Sequence, residues 1–290
     1  TEWAGTLLYL SELTGRIPLM RLSSFTNKMP FWFRRLAERV SREVTFDRRL
    51  PKRFGSLRMR LSPGASLIYW AGLNRPNFQD IYDFVSHHVK PGDVVWDIGG
   101  NIGVFSFSAA AVATTTGRVL CVEPDLWSVR LLKQTCRYNS GLAAPVEVLP
   151  VAISDQLSLE WLHIAERSRA ASHLAKAEGG SGQEITGGVR ERHLTPVFTL
   201  DWLADHYPLP DVLKIDVDGS EYRVLTGGVA MLKKKRPVLI LEVYERNADA
   251  VTALLAELNY DLFNYDNGEA LKTPISRTAY NTLALPRPQS

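Results

Sequence analysis

An open α/β sheet of mainly parallel strands is the fold class the sequence predicts, and three observations predict it. Short apolar, β-branched runs alternate with helical stretches along most of the chain, and the runs at 94–96, 119–122 and 212–217 are nearly continuous in hydrophobicity, as strands buried on both faces are. The turn after the first run is rich in glycine at Gly99, Gly100 and Gly103, which lets backbone approach a ligand and lets a helix pack close to a strand. Acids stand where the runs end, at Asp97, Glu123, Asp216 and Glu242, on the carboxyl edge where open α/β sheets bind ligands.

Residues 1 to 70 are expected to form a basic, mainly helical extension or cap, and residues 71 to 290 the main domain. The first 60 residues carry 13 Lys or Arg against 5 Asp or Glu, whereas the remaining 230 carry 21 against 26. A basic front and an acidic body result. The stretch EWAGTLLYLSELTG ends at Gly15, is broken by Glu12 and is too short to span a bilayer. In PFWFRRLAERVSREV, Pro30 suits a first helical position, and Phe33, Leu36, Val40 and Val44 share one face away from Arg34, Arg35, Arg39 and Arg42. That helix suits a cap on the acidic body, or peripheral contact with an anionic membrane. SLRMRLS then reads as an edge strand, and NFQDIYDFVSHHV as a helix ending in His87 and His88 beside its own dipole.

Beyond the glycine turn and its helix, GRVLCVEPD gives the second strand, LWSVRLLKQTCRYNS a helix that stops by Gly141, and VEVLPVAIS a third strand followed by Ser154 and Asp155. From LSLEWLHIA to HLTPVFTL the pattern is a β excursion interrupted by the loop GGSGQEITGG. TLDWLADHY is a short helix capped by Thr199. VLKIDV and RPVLILEVYE are strands, the KKKR run between them a solvated helix end, ADAVTALLAELNY an amphipathic helix, and DLFNY and YNTLAL two closing strands separated by DNGEA.

The composition is that of a soluble globule, 45% hydrophobic and 22% charged in 290 residues. Two cysteines, Cys121 and Cys136, give neither a disulfide framework nor a zinc spacing, so a reducing cytoplasm is the expected location. No aromatic-interleaved basic patch points to nucleic acid.

The chemistry rests on the acids. A dinucleotide fingerprint would place glycine where Asp97 stands, and a pyrophosphate brought to this turn would be repelled. S-adenosylmethionine carries an α-ammonium and a sulfonium, so Asp97 suits it better than NAD. Glu123 is placed to accept the ribose hydroxyls of either ligand. Asp216, flanked by Ile215 and Val217, points opposite to them if the strand persists, and a buried acid needs a reason. Asp216 and Glu242 offer two neighbouring strand ends to one cleft, to orient a hydroxyl, accept its proton, or hold a hard cation such as Mg. For Asp218 and Glu221, turn capping and helix-dipole complementation weigh equally with a role in the site.

Together VVWDIGGNIGVFS, CVEPD, VAISD, TLDWL, LKIDVDGSEYRVLTGG and VLILEVYE, in this order and spacing, resemble the FkbM-type family of S-adenosylmethionine-dependent methyltransferases over roughly residues 70 to 285. The resemblance implies a class I methyltransferase fold, Rossmann-like and doubly wound, with seven strands of which the last is antiparallel. It implies that Asp97, Gly99, Gly100, Asn101 and Gly103 cradle the methionine part, Glu123 the ribose, and Ala152 and Asp155 the adenine side. Asp216 would line the transfer site. His173, in the ASHL stretch that is often serine-rich in the family, and Glu242 are its rivals as base. Asp218 stands where the family usually has glutamate. The implied activity is O-methylation of a hydroxyl on a sugar, glycolipid or polyketide-like product. An NAD-dependent oxidoreductase and a non-catalytic adenosine-binding scaffold are the alternatives. The expected partner is a small-molecule or glycan hydroxyl acceptor.

Overall fold

The computed structural model describes residues 44–66, 68–69, 72–75, 78–165, 169, 172–175, 188–265 and 273–288. The two helical stretches expected before residue 44, nearly all of the glycine-rich loop and the DNGEA turn lie outside them. Between residues 44 and 61 the chain forms no α-helix. Strands β1 (Phe46–Arg49) and β2 (Arg58–Leu61) form an antiparallel hairpin with Phe46 opposite Leu61. The expected edge strand SLRMRLS is therefore one arm of a separate ribbon. Its inner residues Met59 and Leu61 are fully buried in the same core as Phe84, Val85 and Phe107. Main-chain bonds fix it to the body, since Arg60 N–H donates to Thr135 Oγ1 at 2.9 Å and Arg58 N–H to Asn139 Oδ1 at 2.9 Å.

The body is a Rossmann-like α/β fold. Helix α1 (Gln79–His88) leads into β3 (Val94–Ile98), α2 (Val104–Ala113), β4 (Arg118–Val122), α3 (Leu126–Tyr138) and β5 (Val146–Leu149). After an excursion the chain continues through α4 (Leu200–His206), β10 (Val212–Ile215), α5 (Glu221–Thr226), α6 (Val229–Lys235), β11 (Val238–Glu242), α7 (Ala248–Glu257), β12 (Tyr260–Asn264) and β13 (Asn281–Pro286). The larger sheet has the order β12-β13-β11-β10-β3-β4-β5. Strands β11, β10, β3, β4 and β5 pair in parallel, while β13 runs antiparallel to both of its neighbours.

Alternation along the strands sends side chains to two cores. Val95, Val119 and Val212 join the layer containing α1 and α2, whereas Trp96, Leu120 and Leu213 join the layer containing α4, α5 and α7. Helix α2 is buried on nearly every side, as expected of a helix that is apolar all round. Thr199 caps α4 by accepting the Trp202 N–H at 3.0 Å.

A single doubly wound sheet is an incomplete description. The stretch VEVLPVAIS does not run on as one strand: Pro150, which lacks an N–H, separates β5 from β6 (Ala152–Ile153). There the chain leaves the large sheet and builds a second one with β7 (Ser158–Ala165), β8 (His173–Leu174) and β9 (Val189–Phe198), in the order β6-β9-β7-β8. In the large sheet the strand order reverses between β3 and β10, and ligands of open α/β sheets bind at such a switch point. The second sheet supplies a further wall at that place.

Candidate active site

A cavity of about 340 Å³ opens at the switch point. Its floor is made by the ends of β3, β4, β10 and β11 through Gly99, Glu123, Asp216 and Glu242, and its roof by Leu162, His173 and Leu174 of the second sheet. Asn101, Ala152 and Asp218 also line it. The chain thus brings seven of the predicted positions to one space, counting Gly99, Asn101, Glu123, Ala152, His173, Asp216 and Glu242.

Four other predicted positions do not line it. Asp97, the residue that sets the turn apart from a dinucleotide fingerprint, is 0% exposed. Its Oδ2 accepts the Ser106 hydroxyl at 2.6 Å, and its Oδ1 faces Lys214 Nζ at 3.4 Å. Asp97 therefore answers a cation of the protein. Gly103 serves packing, since a Cβ there would press on Leu132 and Phe107, and Gly100 leaves room for Cys121 Sγ. Asp155 pairs with Arg223 Nη2 at 2.8 Å, which holds its carboxyl below the usual carboxylate range. Of the two positions expected on the adenine side, Ala152 lines the cavity, beside Ile153.

Lys214 is the site residue that sequence reasoning misses. Its signal is present, a lone cation within the apolar run VLKIDV. The ammonium donates to Asp216 Oδ2 at 3.0 Å and to the Gly99 carbonyl at 3.4 Å, and so ties β3 to β10 beneath the cavity. Burial alone would lower its pKa, but the charges of Asp216, Asp97 and Glu242 outweigh that and raise it. Asp216 differs from expectation as well. The strand ends at Ile215, and the Asp216 side chain is 33% exposed; among the described residues the acids at 0% exposure are Asp97 and Glu221. Glu221 is explained by the turn, because it accepts Gly219 N–H at 2.7 Å and Asn247 Nδ2–H at 3.4 Å. Asp218 does not cap that turn through its side chain; it accepts the Tyr244 hydroxyl at 3.0 Å. Burial, with the charge of Asp216 added, pushes its pKa well above the usual range.

Glu242 sits in the most unusual setting. Its Oε2 accepts the Tyr280 hydroxyl at 2.7 Å, and burial together with Asp216 pushes its pKa up to about 7. A carboxyl poised there is matched to proton transfer near neutrality. At the opposite end Glu123 accepts Asn101 N–H and Asp125 N–H, each at 2.7 Å, and burial pushes it up to about 8. Arg169 closes that end, its Nη1 2.7 Å from Asp125 Oδ1.

Asp216 and Glu242 are also the candidate cation ligands. Lys214 already supplies a positive charge to Asp216, and among the described residues no group of three or more His, Cys, Asp or Glu is arranged to hold a metal ion.

The residues present fit an adenosyl-methionine ligand. Asn101 Oδ1, Ser172 Oγ and Ser220 Oγ are buried on cavity-lining residues with no hydrogen-bond partner, and buried polar atoms left so are costly. Asn101 itself holds a left-handed φ of 49°, strain that the tight turn imposes. Gly99 has φ 82°, and a Cβ there would strike the Asp216 carbonyl oxygen. Gly99→Ala is accordingly expected to lower the midpoint of thermal unfolding by several degrees, on the order of 1–3 kcal/mol; differential scanning calorimetry reads it.

Known proteins resemble this chain. The family described as Methyltransferase FkbM domain matches residues 97–262. The hexuronic acid methyltransferase AglP of Haloferax volcanii is 26% identical over 181 residues, which is 62% of this chain and 68% of that protein. Among solved structures, methyltransferase FkbM from Methylobacillus flagellatus superposes with TM-score 0.47 and 15% identity over 86% of this chain, which spans 58% of that longer one. A SAM-dependent O-methyltransferase from Thermotoga maritima gives TM-score 0.40 and 14% identity, covering 80% of this chain and 76% of its own. The matched family runs from the first strand-end acid to the strand Tyr260–Asn264 at the edge of the large sheet and so takes in nearly the whole cavity floor: the chain belongs to the FkbM family of S-adenosylmethionine-dependent methyltransferases.

Proposed function

We propose that this chain transfers a methyl group from S-adenosylmethionine to a hydroxyl oxygen of a small-molecule or glycan acceptor, with Glu242 taking the hydroxyl proton. The observation that carries the reading is the Tyr280–Glu242 pair at 2.7 Å at one end of a cavity whose other end holds Glu123. One end suits a proton acceptor and the other an adenosine. The name of the Haloferax relative puts a sugar acid within reach of this family, which favours a sugar hydroxyl over a polyketide.

When bound, the cofactor supplies an electrophilic methyl on a positively charged sulfur. The acceptor oxygen would take up that methyl group, and its proton would pass to the Glu242 carboxylate. Since the donor is already activated, the protein's work is alignment and removal of one proton. Glu123 would accept the ribose hydroxyls with the lone pairs its two main-chain donors leave free. Asn101 Oδ1 would receive a donor of the methionine part. Lys214 keeps Asp216 and the Gly99 turn in register, so Asp216 orients the acceptor while its Oδ2 is committed to the ammonium. His173, in the roof, bounds the space from the other side.

Titration calorimetry tests the cofactor half of this reading. S-adenosylhomocysteine is expected to bind wild type and to bind Glu123→Ala at least about tenfold more weakly, the cost of losing hydrogen bonds to two hydroxyls, with no heat from NAD. Binding of NAD overturns the methyltransferase reading in favour of the oxidoreductase, and binding of neither ligand overturns it outright.

A further inference from the structure

A second cavity, of about 270 Å³, opens where the β1–β2 ribbon meets α3, and it shares no lining residue with the first. Among the described residues it is lined by Thr45 and Arg60 on the ribbon side and by Trp127, Arg130, Leu131 and Gln134 of α3. The four helical positions fall at i, i+3, i+4 and i+7, which is one face of a helix. A helix face turned to a packed neighbour is ordinarily apolar. This one carries an arginine and an amide.

Its polar groups are donors left over after the local pairings are made. Arg60 is paired through Nη1 with Asp47 Oδ1 at 3.0 Å and donates from Nη2 to Thr45 Oγ1, yet its Nε–H is buried with no hydrogen-bond partner. The Trp127 indole N–H is likewise buried and unpartnered. Arg130 lies 5.7 Å from the Trp127 ring centroid, and among the described residues it enters no ion pair or hydrogen bond. Thr45, having accepted from Arg60, keeps its hydroxyl proton to give. No described acid lines the space. Asp47 is divided between Arg58 and Arg60, and Asp125 at the head of α3 is tied to Arg169. Guanidinium groups stay charged throughout the working pH range, so the pocket holds donors and a surplus of positive charge. Buried donors without partners are costly, and an oxyanion answers them together.

We propose that this cavity is a second binding site, separate from the cofactor cavity, that takes the phosphoryl group of an anionic ligand between β2 and α3, held by Arg130, the Trp127 indole N–H and Arg60 Nε–H. A carboxylate is flat and is met in full by one guanidinium fork. Donors on both walls of one cavity suit a tetrahedral group, whose oxygens point in several directions. The site does not depend on the reaction proposed for the first cavity, since none of its residues takes part there.

The test is equilibrium dialysis of radiolabelled inorganic phosphate against the full chain, in chloride at fixed ionic strength, with acetate as the flat competitor. Phosphate is expected to bind wild type and to bind Arg130→Gln at least about tenfold more weakly, the worth of a hydrogen bond between charged partners. Trp127→Phe keeps the ring and removes the N–H, and is expected to weaken binding at least about threefold. Lys133→Gln removes an equal charge from an exposed position of the same helix outside the cavity; it is expected to leave phosphate binding unchanged within about twofold. Absence of phosphate binding overturns the site. A loss in Lys133→Gln equal to that in Arg130→Gln overturns it too, in favour of diffuse surface charge. Acetate that competes as well as unlabelled phosphate overturns the choice of a phosphoryl group. Displacement of phosphate by S-adenosylhomocysteine would place the anion in the first cavity and overturn a separate site.

Discussion

Lys214→Met is expected to lower the unfolding free energy by about 3 kcal/mol or more, measured by urea denaturation at neutral pH. Removing one partner of a buried ion pair leaves the other charge uncompensated, and losses of about 3–5 kcal/mol result. Here the stranded group is Asp97, whose Oδ1 faces the lysine and whose second oxygen accepts the Ser106 hydroxyl. Asp216, being partly exposed, is left to water at little cost. Asp97→Asn in the Lys214→Met background should recover part of the loss, since an amide replaces the stranded charge. If Lys214→Met matches wild type in stability, the ammonium does not tie β3 to β10.

Glu242→Gln is expected to reduce kcat by about 10²–10⁴-fold, the usual worth of a positioned acid or base, with the dissociation constant of S-adenosylhomocysteine unchanged within about twofold. In wild type, kcat should rise with pH through an inflection near 7, where Glu242 loses its proton; in the variant that inflection should vanish. Retained turnover, or an unmoved pH profile, would assign proton removal to another group, with His173 next in line. The same shift has a stability sign. Because burial raises the folded-state pKa of Glu242 above its ordinary value of 4.5, to about 7, the native state binds more protons than the unfolded state between those values. The contribution of this group is full below pH 4.5 and is lost as the pH rises through 7. Glu123 acts in the same sense up to about 8. Calorimetric midpoints should therefore fall from mildly acidic to mildly alkaline pH, and fall less in Glu242→Gln.

The large sheet was legible because parallel strands buried on both faces read as apolar runs, and because punctuation by Gly117 and Gly141 set their limits. The acids at strand ends were legible as positions but not as contacts. Asp97 and Glu123 look alike in sequence, each one step past a strand-like run. Ladder register alone sends the first into the core beside Lys214 and the second to the cavity, and register is a property of paired strands. The second sheet was visible as a β excursion, but the break at Pro150 that starts it reads equally well as a bulge. Tyr280 reached the site unannounced. It lies 38 residues beyond Glu242 in sequence, and only the antiparallel pairing of β13 with β11, which sets Asn281 opposite Glu242, brings the two side chains together.

That pairing gives the last strand a duty besides closing the sheet. On the proposed reading, the proton acceptor Glu242 receives its hydroxyl partner from Tyr280, beside β13 and more than 150 residues beyond the Asn101 and Asp125 main-chain contacts of Glu123. Cofactor binding and proton removal, so proposed, are assembled from segments far apart in the sequence. Truncation or misregister near residue 280 would yield a protein that still recognises its donor while its transfer chemistry is impaired, so donor binding by itself is no measure of a correctly completed fold.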